Sequence, residues 1–289
     1  MTLGASELIV NPDGSIYHLN LFPEDIADTI ITVGDPDRVA EVSSFFDTVE
    51  VKKSKREFYT HTGTLKGKRL TVISTGIGTD NIDIVLNELD ALVNIDFESR
   101  MVHEAKKSLD IIRIGTTGAI QSDIPIDTFL MSEYAIGFDG LLHFYDSSSI
   151  QEPRMAQAFA VQCGWPEQRA APYAVKYDIT LAKKFLSNRI RLGVTVTCMG
   201  FYGPQGRSLR LNADSNSFIE KLASFHYEGR VITNLEMETS GIYGLSKLLG
   251  HRAVSMNCIL ANRATGEFSK NPKQATQDLI GYCLGIICG

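Results

Sequence analysis

The sequence is poor in the residues that announce metal or redox chemistry. In 289 residues there are five cysteines, six histidines and one tryptophan. The cysteines (Cys163, Cys198, Cys258, Cys283 and Cys288) form no CxxC pair, and their spacings suit neither a zinc site nor a disulfide framework. An odd number of thiols without an export signal predicts reduced cysteines and a cytoplasmic protein. The histidines (His18, His61, His103, His143, His226 and His251) make no HExxH and no close pair, so no catalytic metal is expected. No GxGxxG follows a strand, which argues against a dinucleotide cofactor. No P-loop glycine-lysine signature and no GxSxG nucleophile turn is present. Basic residues are not in surplus: net charge is −6, and no nucleic-acid partner is expected. No apolar run is long enough to span a bilayer; the nearest, "LIGYCLGIICG", is short and rich in glycine. The opening "MTLGASELIV" lacks the basic start of a signal peptide. No Pro/Ser/Gly-rich linker, charge block or repeat divides the chain, so residues 1–289 read as one domain.

What is present is an alternation of β-branched runs and helical patterns. "TIITVG", "RLTVISTGIG", "LDIIRIGTTG", "RLGVTVTCMG", "GRVITNLEME" and "RAVSMNCILAN" have the apolar continuity of buried strands. Helical spacing follows Pro36, runs from Asn81 to Val93, and recurs in "TSGIYGLSKLLG", where Gly250 suits a C-terminal cap, and in "PKQATQDLIGYCLG". This predicts an α/β fold: one domain, a central mixed sheet and helices on both faces. Gly34, Gly76, Gly115, Gly200, Asn234 and Asn262 fall at the predicted C-terminal ends of strands, the edge where such sheets bind ligands.

Polar residues gather at those ends. "VGDPDR" places Gly34 in a turn and Arg38 on the next helix. "RIGTTG" places Arg113 on a strand, with Gly115, Thr116 and Gly118 in the turn. Two guanidiniums, a hydroxyl and exposed N–H groups suit a phosphate dianion. The plainer alternative for each arginine is a salt bridge, for instance with Asp35 or Asp37. Arg113 needs an anionic partner, and no acid follows it closely in sequence. "NLEMETSG" sets Glu236 and Glu238 around Met237, which suits a diol and a sugar face; ordinary helix-start acids are equally compatible. "FYGPQGR" places Phe201, Gln205 and Arg207 together. An aromatic face beside an amide and a guanidinium can hold a planar, hydrogen-bonding ring. An ordinary surface loop is the alternative. The basic cluster "KKSKR" (52–56) reads as a solvated strand edge.

Taken in order, "HLNL", "GDPDRV", "REF", "STGIG", "RIGTTGAIQ", "FYGPQGR", "EMET" and "NR" resemble the nucleoside phosphorylase superfamily and, within it, the uridine phosphorylases. The matches span Ile16 to Arg263. The resemblance implies reversible phosphorolysis of a ribonucleoside by inorganic phosphate, with no other cofactor. It implies that Gly34, Arg38, Arg113 and Thr116 hold phosphate, completed by Arg56 of a neighbouring subunit. His18 would likewise reach the ribose 5′-hydroxyl, so a homodimer, or a hexamer built from dimers, would share its sites. Met237 and Glu238 would hold the ribose with Glu236 beside it. Thr117, Gly118, Phe201, Gln205 and Arg207 would surround the base, and Arg263 would lie on a closing flap. Arg113, Arg207, Gln205 and Glu238 would carry catalysis.

The sequence also departs from that pattern. "LANRA" offers Asn262 and Arg263 where purine-selective bacterial relatives carry a Ser-Asp pair, which favours a pyrimidine. "GIGTDN" replaces the "GIGGPS" associated with a monovalent-cation site that would include Glu57, and this weakens the case for a structural potassium ion. The stretch 94–108 is longer than the bacterial pattern.

Overall fold

The first strand, β1 (Thr29–Val33), reads TIITV, and all five residues are buried in the computed structural model, which describes residues 2–213 and 217–289. A strand buried on both faces belongs at the middle of a sheet. Asp35 then caps α1 (Pro36–Ser43): its carboxylate accepts the Asp37 N–H, and proline occupies the first helical position. A hairpin of β2 (Thr48–Lys55) and β3 (Phe58–Leu65) leads into β4 (Lys68–Ser74). Helix α2 (Thr79–Asn94) buries Ile82, Val85, Leu86, Leu89 and Leu92, the spacing of one helical face. The segment 94–108 contains a small hairpin, β5 (Ile95–Asp96) with β6 (Met101–Val102), separate from the main sheet.

The long strand β7 (Asp110–Ala119) is followed by β8 (Phe129–Gly137), α3 (Pro153–Cys163), β9 (Tyr173–Lys176), α4 (Ile179–Phe185) and β10 (Ile190–Thr197). Next come α5 (Phe218–Ser224), β11 (His226–Tyr227), β12 (Arg230–Glu236) and α6 (Thr239–Leu248). The chain closes with β13 (Arg252–Asn262), β14 (Glu267–Phe268) and α7 (Pro272–Cys288). Helix α6 stops at a glycine-based cap. Gly250 has φ 80°, its N–H donates to the Lys247 carbonyl, and the His251 N–H donates to that of Ser246.

The main sheet has the order β11-β12-β10-β8-β13-β7-β1-β4-β3-β2. Strands β4, β1, β7 and β13 run parallel, while β8 is antiparallel to β13. The end of β7 also pairs with β12 at Gly118–Leu235 and Ala119–Asn234. That last pairing closes a ring of five strands: β7, β13, β8, β10 and β12.

The predicted α/β domain with a mixed, helix-flanked sheet is therefore present, with one change that matters for function. Gly115, Thr116 and Gly118 do not form a turn. They lie within β7, because β13 and β12 pair with it through Ala119. Asn234 likewise lies inside β12. The cluster at 52–56 does fall on the edge strand β2, yet it is not simply solvated. Lys53 pairs with Asp25 at 2.6 Å, and Lys55 donates to Asn11 Oδ1 and the Tyr17 carbonyl, tying the N-terminal segment to the sheet.

Candidate active site

A cleft of about 720 Å³ opens at the C-terminal ends of β1, β4, β7 and β12. Every residue that the resemblance assigns to the site lines it except His18, Arg56 and Arg263, and of the strand-end glycines and asparagines Gly200, Asn234 and Asn262 do not. Residues from distant strands thus meet as the strand-end argument requires.

Part of the lining is cationic. Arg38 projects from the first turn of α1, and its guanidinium has no hydrogen-bond or ion-pair partner among the described residues. The expected alternative, a bridge to Asp35, does not form, because Asp35 caps the helix. Burial, with Arg113 nearby, holds the Arg38 pKa below the usual arginine range. Arg113 is only 6% exposed. Its Nη2 donates to Glu238 Oε2 at 2.6 Å and lies 3.4 Å from Glu236 Oε2. Its Nη1 donates to Asn257 Oδ1 at 2.7 Å. Burial opposes its charge, but Glu236 and Glu238 outweigh that and raise its pKa. The anionic partners that the sequence could not supply locally therefore come from the far end of β12. Asn257 belongs to this site and was missed, and Gly115 acts from within the strand and not from a turn. A Cβ on Gly115 would lie 1.9 Å from Arg113 Nη1, so the glycine in "RIG" clears a path for the guanidinium. The Thr116 side chain is half-buried at the cleft wall.

The two acids divide their work. Glu238 accepts the Gly78 N–H at 3.0 Å and the Arg113 proton, so its carboxylate is fixed at the cleft wall. Glu236 is committed elsewhere than expected. Its Oε1 accepts from the Thr197 hydroxyl, and its Oε2 accepts the N–H groups of Glu238 and Thr239 and the Thr239 hydroxyl. It is the buried cap of α6 rather than a free sugar ligand. Burial, reinforced by Glu238 and opposed by Arg113, raises its pKa. Met237, between them, is half-buried and faces the cleft.

The loop after β10 supplies Phe201, Gln205 and Arg207 to the lining. The Arg207 guanidinium lies 3.9 Å from the centroid of the Phe201 ring. It donates to Gln205 Oε1 at 2.5 Å and to the Phe201 carbonyl at 2.8 Å. A short 3-10 turn over Gly203–Gln205, ending at Gly206 with φ 65°, folds the amide back under the guanidinium. Gln205 is 2% exposed. Burial, then the nearby charge of Arg263, lowers the Arg207 pKa.

Two sequence expectations change here. Arg263 does not line the cleft; it donates to the carbonyls of Gln205 and Gly206 and so props the loop from behind. The Thr117 hydroxyl does not face a ligand; it donates to the Leu235 carbonyl at 2.5 Å and accepts from Asn234. Gly118 lines the cleft wall. Asn262 is turned inward, with its amide on the carbonyls of Gln121 and Ile124 and its oxygen on the N–H groups of Ala264 and Thr265. The Cys198 thiol just behind the loop is fully buried, and burial raises its pKa far out of the thiolate range.

His18 and Arg56 lie away from the cleft of their own chain. Glu88 clamps His18 through Nδ1 at 2.6 Å and through the backbone N–H groups of His18 and Leu19. Arg56 stands exposed at the β2–β3 turn with φ 54°, a conformation uncommon outside glycine. Among the described residues no cluster of three or more His, Cys, Asp or Glu could hold a metal ion. None of their helices is long and apolar enough to cross a membrane.

The fold and this cleft define an α/β enzyme of nucleoside chemistry, and residues 28–287 match the model of the phosphorylase superfamily. The chain belongs to that superfamily. It is 33% identical to a uridine phosphorylase of Thermococcus kodakarensis over 258 residues, covering 89% of this chain and 81% of that protein. It is 28% identical to a DeoD-type purine nucleoside phosphorylase of Bacillus velezensis over 279 residues, covering 93% and 98%. Its structure superposes on a Trypanosoma brucei nucleoside phosphorylase described as showing uridine phosphorylase activity, with TM-score 0.84, 28% identity and 98% of each chain covered.

Proposed function

We propose that the chain catalyses the reversible phosphorolysis of uridine to uracil and ribose 1-phosphate, as a pentosyltransferase. The observation that carries this reading is the lining of one cleft, which brings together Arg38 and Arg113, Glu238 with Met237, and Arg207 on Phe201 with Gln205. Phosphate sits against Arg38, Thr116, Gly34 and the uncommitted N–H groups of Arg113. The ribose lies on Met237 with its hydroxyls toward Glu238. The base stacks near Phe201 and meets Gln205, which both donates and accepts, and Arg207, which only donates.

The reaction then needs no enzyme nucleophile. The glycosidic bond breaks with its electron pair leaving on the base, and C1′ becomes oxocarbenium-like. A phosphate oxygen forms the new bond to C1′ from the opposite face. Arg207 is already in place where negative charge develops, which is the efficient form of electrostatic stabilisation. Inorganic phosphate is the co-substrate, and no other cofactor enters these steps.

Purine phosphorolysis is the competing reading, raised by the DeoD-type relatives. Against it, Asn262, which stands where purine-selective relatives carry a Ser-Asp pair, is held inward by four hydrogen bonds to backbone groups. A nucleosidase would not need paired guanidiniums, and a mere nucleoside-binding protein would not need the phosphate end. The exposed Arg56 and the clamped His18 support an oligomer, a homodimer or a hexamer of dimers, in which each completes a neighbour's cleft. The unpaired cysteines support a cytoplasmic location.

The test is incubation with uridine, with and without phosphate. Uracil and ribose 1-phosphate should form only with phosphate, and inosine should be inert. Phosphate-independent uracil release, or faster inosine turnover, would overturn the reading.

A further inference from the structure

The five-strand ring contains a closed circuit of buried side-chain hydrogen bonds that starts at the cleft. Arg113 on β7 donates to Asn257 on β13 at 2.7 Å. Asn257 Nδ2 donates to Ser132 on β8 at 3.3 Å, and Ser132 meets Thr195 on β10 at 2.5 Å. Thr195 donates to Asn234 Oδ1 on β12 at 2.9 Å, and Asn234 Nδ2 donates to Thr117 at 3.1 Å, back on β7. Arg113 and Thr117 are under 10% exposed, and the other four side chains are fully buried.

The circuit has one direction. Arginine only donates, so the Asn257 carbonyl must face it and the Asn257 amide must point at Ser132. Thr195 gives its proton to Asn234, so Ser132 donates to Thr195. Each hydroxyl proton is used once, and Asn257 is oriented from both sides. A fully satisfied buried network of this kind is rigid. Arg38, by contrast, has no partner holding its guanidinium among the described residues.

We infer that Asn257 is a positioning residue for Arg113: with Glu238 on the other arm, it fixes the plane of the guanidinium so that the remaining N–H groups are presented to the phosphate. This rests on the reading of Arg113 as a phosphate ligand given above. A purely structural Asn257 would lower stability when altered but would treat both substrates alike.

The experiment compares the full chain with Asn257→Ala, Asn257→Ser and Ser132→Ala. Serine ends one atom short of Arg113 yet leaves a hydroxyl for the ring interior, so it serves if alanine does not fold. Two readouts are taken: KM for phosphate and for uridine, and the rise in Tm produced by inorganic phosphate alone. Loss of one hydrogen bond to a charged group should raise the phosphate KM about tenfold while the uridine KM stays within about twofold. The phosphate-induced rise in Tm should shrink in step. Ser132→Ala, in the same circuit but not touching Arg113, should lower Tm without changing the phosphate KM. An unchanged phosphate response in the Asn257 variants, or an equal change in Ser132→Ala, would overturn the inference. If the unaltered chain is inert toward uridine, the phosphate Tm readout still decides the role of Asn257, and only the substrate reading falls.

Discussion

Arg207 stacks on Phe201 with its guanidinium 3.9 Å from the ring centroid, while the same group holds Gln205 at 2.5 Å. The three side chains are one preassembled unit, propped from behind by Arg263 on the Gln205 and Gly206 carbonyls. Gln205 is buried, but Phe201 and Tyr202 are half exposed and Arg207 lies over the Phe201 ring, so the guanidinium itself contributes little to the core. Arg207→Ala should therefore cut uridine turnover by roughly 10²–10³ while lowering stability by less than about 1 kcal/mol. Steady-state kinetics and thermal melts on the same preparation check this. Equal activity would mean that residues 201–207 do not hold the leaving base.

Gly115 tests directly whether Arg113 must occupy its present place. Its missing side chain leaves the space that the Arg113 guanidinium occupies. Alanine would bring a methyl group against the tip of a flexible side chain, not against backbone. The strand can keep its pairing if Arg113 swings aside, but the buried ion pair with Glu238 then breaks, so stability should fall by about 3–5 kcal/mol. The displaced guanidinium would then lose Glu238 and Asn257, and turnover should fall by about 10² or more. A Gly115→Ala protein with full activity and a shifted Tm would show that Arg113 need not occupy its present place.

The parts of this architecture that were legible in the sequence are the local ones. The runs containing β1, β7 and β13 are apolar and β-branched over their whole length, and α2 repeats its leucines and isoleucines on one face. Arg113 was readable as needing a distant anion because no acid follows it closely, whereas Arg38, beside Asp35 and Asp37, reads equally as a local salt bridge. What sequence cannot carry is register between distant strands. The pairing of Gly118 with Leu235 closes the ring, and nothing in either segment specifies the other. For the same reason Thr117 looked free when β12 takes its hydroxyl, Glu236 looked like a sugar ligand when it caps α6, and Asn257 drew no attention inside an apolar strand. The prediction of a turn at 115–118 failed because glycine and threonine were read as local signals. Here the glycine makes room for a side chain of its own strand.

Outside the cleft, Glu133 on β8 and Arg230 at the start of β12 form a two-pronged pair, with both N···O distances 2.9 Å. It spans β10, which lies between their strands, and so braces the ring. Burial would raise the Glu133 pKa, but hydrogen bonding and charge from Arg230, with help from Lys176, reverse this and lower it. The sign follows from linkage: a carboxylate whose pKa is depressed on folding stabilises the native state above its unfolded value and loses that contribution as pH falls. Arg230 is about 30% exposed, so solvent screening keeps the pair to about 1 kcal/mol. Glu133→Gln should therefore lower stability by about that amount at pH 7, and the difference should close as the pH drops below the ordinary glutamate value of about 4.3. Urea melts of both proteins between neutral and acid pH measure it. A stability difference that stays constant across that range would place its origin in packing or hydrogen-bond geometry, not in the charge of Glu133.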